Sequence, residues 1–131
     1  MTRPLIALAL LALVACRPDD SALFRVHDAR STGITFVNQL TEDDSTFNPL
    51  DFDYLYNGAG VAVADVNNDG LPDLYFTGNM VSSRLYLNQG DFTFRDVTEA
   101  AGVGTDVWAT GVSMVDINDD GTINIASSDG E

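Results

Sequence analysis

Lysine is absent from this 131-residue chain, cysteine occurs once, at Cys16, and histidine once, at His27. A lone cysteine excludes an internal disulfide and any thiolate cage for zinc or an iron–sulfur cluster, since these need several sulfurs. A lone histidine without a companion motif excludes an imidazole-rich metal site, and His27 reads as a surface or satisfied core residue. No serine lies in a Gly-x-Ser-x-Gly elbow, so the residues present predict no enzyme active site. Positive charge is scarce too: six arginines stand against 20 acidic residues, a formal net charge of −14. Such a surface repels a phosphate backbone, which excludes nucleic acid as a partner.

What is there is enough to fold. Hydrophobic residues make up 45% and aromatics 9% of the chain, above the signature of intrinsic disorder, and the length suits one domain. The opening carries Arg3, a ten-residue apolar run from Leu5 to Val14, and a small residue before cysteine, the layout of a secretory leader. A permanent helical span needs about 20 apolar residues, so the run is too short to remain in a bilayer. Leu13, Val14, Ala15 and Cys16 resemble the lipobox of bacterial lipoproteins. That resemblance implies a leader at 1–15, a lipidated Cys16 as the membrane contact, a polar tether over 16–23, and a place in the bacterial cell envelope. An ordinary secretory leader with an incidental cysteine is the alternative.

Sliding the chain on itself lays GVAVADVNNDG (Gly60 to Gly70) over GVSMVDINDDG (Gly111 to Gly121) at an offset of 51 residues. A period near 50 signals stacked or radial repeats. Apolar residues alternate before each loop, at Val61 and Val63 and at Val112 and Met114, which is the period of a half-buried strand. LYFTG, SSRLYLNQG and DFTFRDV follow the first loop, divided by Gly, Asn and Asp, with a turn at Asn88 to Asp91. Four short strands per 50 residues is the make-up of one β-propeller blade, so the fold class predicted over 24–131 is all-β, in blades. Thr98 to Ala101 leans to helix but is too short to carry a layer. Phe24, Arg25 and Val26, then Gly33 and Ile34, echo Phe94 to Val97, then Gly102 and Val103, a degenerate half-repeat. Thr41 to Asp53 reads as a loop. Aromatics such as Trp108, Tyr54, Tyr56, Tyr75 and Tyr86 read as blade packing ahead of sugar stacking.

The two loops hold the chemistry. In DVNNDGLPD, side-chain oxygens recur at Asp65, Asn67, Asp69 and Asp73, and Leu71 offers a backbone carbonyl. Calcium takes about six to eight oxygens at about 2.3 to 2.6 Å, and a curled loop can supply most of them. Gly70 sits where the chain must bend through positive φ. An EF-hand also needs a glutamate at its twelfth position and flanking helices, whereas Phe76 stands there between strand-like stretches, so the helical version is excluded. In DINDDGTIN the donors are Asp116, Asn118, Asp120, Asn124 and the Thr122 carbonyl. An amide at Asn124 replaces a carboxylate, so this loop should bind more weakly. Acid-rich loops can also be plain solvated turns, but three converging aspartates without a cation would repel one another. Oxygen donors alone argue against zinc or copper, and magnesium prefers to keep its waters.

These residues carry a resemblance. YNGAGVAVADVNNDGLPDLYFTG, SRLYLNQGDFTFRDVTEAAGV and TGVSMVDINDDG resemble the FG-GAP/VCBS repeat family, the calcium-loop blades shared with integrin α-subunit propellers. They are similar to bacterial VCBS-repeat lipoproteins of the type with a C-terminal ASPIC/UnbV domain. The resemblance implies a propeller of about seven blades, of which 24–131 would be an incomplete N-terminal part. It implies calcium at both loops, and a surface-anchored module that binds a protein or glycan partner. A propeller scaffold for a larger surface enzyme, with its catalytic part downstream, is the alternative, and a structural adhesin is a third.

Overall fold

The computed structural model describes residues 23–45 and 55–129. The expected leader at 1–15, the lipidated Cys16, the tether up to residue 22 and residues 46–54 of the expected Thr41 to Asp53 loop lie outside the described residues. Among the described residues no helix is long and apolar enough to cross a membrane.

The all-β reading holds. Strands β1 (Val61–Ala64), β2 (Asp73–Phe76), β3 (Arg84–Asn88) and β4 (Phe94–Asp96) form one antiparallel sheet in the order β1-β2-β3-β4. This is the four-stranded up-and-down sheet of a propeller blade. Strands β5 (Ala109–Val115) and β6 (Asn124–Asp129) pair antiparallel in a second sheet. The expected turn is in place, with Gln89 N–H donating to Thr93 O at 2.7 Å, although Asp91 and Phe92 share the left-handed backbone with Gly90.

The two sheets meet along β1 and β5. Residues opposite one another across a ladder point to the same face, so Ala62, Tyr75 and Leu85 form one row. Tyr75 and Leu85 bury with Val97, and Val112, Met114 and Ile125 from the second sheet pack against them. Removing a leucine-sized side chain from water contributes about 1.5–3 kcal/mol, so this interface is a substantial share of the core. The Tyr75 hydroxyl donates to Val103 O at 2.6 Å, which lets the ring bury without stranding its polar end.

Alternation predicted the inward row correctly in β5 and assigned the wrong row in β1. Val112 and Met114 pack on the core as expected, but Val61 and Val63 are 57% and 59% exposed, while Ala62 is the buried residue. The repeat explains the difference. Val61 and Val63 occupy the same positions in their sheet as Val112 and Met114 in theirs. In the first sheet that row faces away from the second, and only β5 has a preceding sheet among the described residues to receive it.

On that outer face lies the segment before β1. Phe36 stacks on Phe76 with ring centroids 5.3 Å apart, and Phe76 meets the Tyr86 ring edge-on at 5.8 Å. Helix α1 (Ala29–Thr32) ends at Gly33, and helix α2 (Thr98–Ala101) ends at Gly102, both in the left-handed region. The Gly33 and Gly102 parts of the expected half-repeat thus share a backbone, whereas Phe24 to Val26 form no strand to match β4, and α1 itself was not foreseen as helix. Both helices are single turns and carry no layer. A groove of about 830 Å³ remains, lined by residues that include Ile34, Phe36, Val63, Leu74 and Phe94. His27 stacks on Phe92 at its rim, at 4.6 Å.

A polar hub ties the pieces together. Asn79, 5% exposed, accepts from Asn38 Nδ2 at 2.6 Å and donates through its own Nδ2 to Ala109 O at 3.1 Å and Gly58 O at 3.4 Å. Beside it, Ala109 N–H donates to Gly78 O at 3.1 Å. These bonds bring the chain near Gly60 so close to β5 that a Cβ there would lie 2.9 Å from Val112 N and 3.0 Å from Gly111 C. Gly60→Ala is therefore expected to destabilise the fold by about 1–3 kcal/mol in urea unfolding, because only backbone can yield. Gly111→Ala meets only the Ser128 hydroxyl, at 3.1 Å, and should cost clearly less.

Candidate metal centre

Each loop leaves the end of a strand and turns back into the next, β1 to β2 and β5 to β6. Two left-handed residues make the curl: Asn68 and Gly70 in the first, with φ of 58° and 84°, and Asp119 and Gly121 in the second, with φ of 57° and 82°. The glycine bend was expected from the sequence. The left-handed Asn68 and Asp119 were missed, although Asn and Asp are the side-chain-bearing residues that tolerate this region best. Two adjacent Asx residues ahead of Asp-Gly in both copies carried that information.

Three predicted donors come together in the first loop. Asp65 accepts from Asp69 N–H at 3.1 Å and from Gly70 N–H at 2.8 Å. Asn67 accepts from Asp69 N–H at 3.1 Å and donates to Asp69 Oδ2 at 2.8 Å. Leu71 N–H closes on Asp69 Oδ1 at 2.9 Å. The loop is thus wound around its own oxygens, with Asp65, Asn67 and Asp69 gathered by backbone N–H groups.

Asp73 is placed differently. It is fully buried, and its two oxygens accept from Val66 N–H at 2.9 Å and Asn88 N–H at 2.8 Å. The carboxylate pins the start of the loop, the start of β2 and the end of β3 together, and Asn88 Nδ2 adds a bond to Pro72 O at 3.0 Å. The part played by Asn88 carried no distinguishing signal in the sequence. With Asp73 so engaged and an amide at Asn67, the described residues gather no group of three or more acidic, imidazole or thiol side chains that could hold a metal ion.

The second loop repeats the winding. Asp116 accepts from Asp120 N–H at 3.2 Å and Gly121 N–H at 2.7 Å, Asn118 Nδ2 donates to Asp120 Oδ2 at 2.8 Å, and Thr122 N–H donates to Asp120 Oδ1 at 2.8 Å. The hydrogen bonds from Asn118 and then Thr122 favour the carboxylate form and lower the pKa of Asp120, only partly opposed by desolvation. Asn124 stands where the first loop has Asp73, and its Nδ2 donates to Thr122 O at 3.1 Å. An amide has one acceptor oxygen where a carboxylate has two, so Asn124 cannot accept from two backbone N–H groups through separate oxygens as Asp73 does.

Asp73→Asn imposes that limit on the first loop. One of the N–H groups of Val66 and Asn88 then faces an amide nitrogen, and the expected cost is about 1–3 kcal/mol of stability, read by thermal unfolding in a chelator. Asn124→Asp should not incur this loss.

Comparison with known proteins matches residues 65–127 to the FG-GAP-like repeat. Over 70 residues, 52% of this chain, the sequence is 34% identical to cartilage acidic protein 1 of Xenopus tropicalis. The chain spans only 11% of that relative's length. No solved structure matches. The two wound loops and the strands between them, β2 to β5, thus fall within a single segment, residues 65–127, that matches an FG-GAP-like repeat in an all-β fold.

Proposed function

We propose that this chain is a calcium-stiffened propeller-type binding module, held at the bacterial cell envelope through lipidated Cys16, whose blades engage a protein or glycan partner. The observation that carries the reading is the shared winding of two loops 51 residues apart, each curled so that two aspartates and an asparagine are gathered on one bend. A turn that only connected strands would need no such recurrence of acids.

The donor types, carboxylate, amide and carbonyl oxygens, are those that a hard cation takes. Asp65, Asn67, Asp69 and Asp73, with the Leu71 carbonyl, would hold one ion, and Asp116, Asn118, Asp120 and Asn124, with the Thr122 carbonyl, the second. The backbone N–H bonds do not use up these oxygens, because an ionised carboxylate has about four lone-pair positions. No basic side chain lies within either loop, so an ion there has no fixed positive charge to displace. Calcium suits this irregular, oxygen-only set better than magnesium, which demands an octahedron and parts reluctantly with water. The role given to the ion is structural. It offsets the repulsion between loop carboxylates and fixes loops that are otherwise exposed.

In calorimetric titration, millimolar calcium should release or absorb heat with the whole chain and raise its thermal midpoint, with magnesium much weaker. Asp65→Ala and Asp69→Ala should abolish the first binding event, and Asp116→Ala the second, weaker one. Absence of heat and of any thermal shift at millimolar calcium would overturn the reading.

A further inference from the structure

The two loops touch. Asn68, at the left-handed crest of the first loop, donates through Nδ2 to the carbonyl of Gly121, the bend of the second loop, at 3.3 Å. The same Gly121 donates its N–H to Asp116 Oδ2 at 2.7 Å. One glycine residue of the second loop is therefore held on one side by its own loop and on the other by its neighbour. We infer that the two loops take up their cations cooperatively, with the Asn68 to Gly121 hydrogen bond as the coupling element. The inference rests on the cation reading of the loops and adds to it a dependence of the second loop on the first.

The physical reason is the state of Asn68 before and after the first loop is filled. A ligand couples two sites only if it changes the strength of a contact between them. Asn68 is exposed, and in an empty loop its bond must overcome the freedom of both the side chain and the backbone from Asp65 to Gly70. An ion bridging Asp65, Asn67 and Asp69 fixes that backbone from both flanks of Asn68, so the same bond then forms at a smaller entropic cost. Its acceptor is the carbonyl of the residue whose flexibility the second loop must lose to close on Asp116. Filling the first loop therefore pre-arranges the second, whose donor set is the poorer because of Asn124.

The contact has a direction built into the sequence. Asp119, the counterpart of Asn68, carries a carboxylate, which accepts but cannot donate to a carbonyl when ionised. The second loop cannot make the equivalent bond outward, so the coupling belongs to this one pair of loops.

The test is a calcium titration of the whole ¹⁵N-labelled chain by NMR, following the amides of Gly70 and Gly121 as separate reporters of the two loops, with calcium alone as ligand. The variant is Asn68→Gly, which removes the amide and keeps the left-handed backbone without strain. The expected result is that the Gly121 midpoint moves to about two- to tenfold higher calcium, the range of one net hydrogen bond. The Gly70 midpoint should change far less, because the first loop fills while the second is still mostly empty. Two reporters that titrate in the variant at the same calcium as in the parent would overturn the coupling and leave the cation reading standing. Reporters that fail to move at millimolar calcium in the parent chain would overturn both.

Discussion

A single buried amide sets the relation between the parts of this molecule. Asn79 uses its side-chain oxygen and both N–H groups of its amide, and the three bonds run to the segment before β1, to the chain entering β1 and to the start of β5. Buried amides that lack partners are costly, so an amide satisfied by three separate stretches of backbone and side chain favours one arrangement of those stretches over its competitors. The close approach at Gly60 follows from it. So does the meeting of Tyr75 and Leu85 with Val112 and Met114, which supplies the apolar energy that the polar hub directs.

From that frame the loops inherit their positions. Each begins at the last residue of an inner strand, β1 or β5, and those strands lie side by side. Two loops of the same winding on adjacent strands are thereby brought close enough for a side chain of one to reach the backbone of the other. Asp73 does a related service within one sheet. By binding Val66 and Asn88 it joins the loop to the far end of β3, so whatever stiffens the loop also stiffens the strand array behind it.

Much of this could be read from residue order alone. Short alternating runs, the Gln89-Gly90 turn and the loop duplication specify strands and their antiparallel succession, because each is a local property. Direction was not readable in the same way. Alternation at Val61 and Val63 establishes that two faces exist, but the small Ala62 is the one buried by the second sheet, a fact that depends on what stands on either side. The winding of the loops was legible in the spacing of Asp65, Asn67 and Asp69, whereas the inward turn of Asp73 was not, since its partners are backbone groups of distant residues. Asn79 was silent for the same reason. A lone polar residue after a glycine gives no hint of three partners up to 41 positions away.

The unequal fate of the two valine rows says something about the symmetry of such sheets. Val112 and Met114 rest on the Tyr75 and Leu85 face of the first sheet, while their counterparts Val61 and Val63 stay exposed, with Val63 at the groove beside Phe36. A sheet of this design is two-faced, giving a different surface on either side, so the contact is head-to-tail and has no twofold axis. Contacts of that kind do not end by pairing; they end when the rotation from one member to the next adds up to a closed circle.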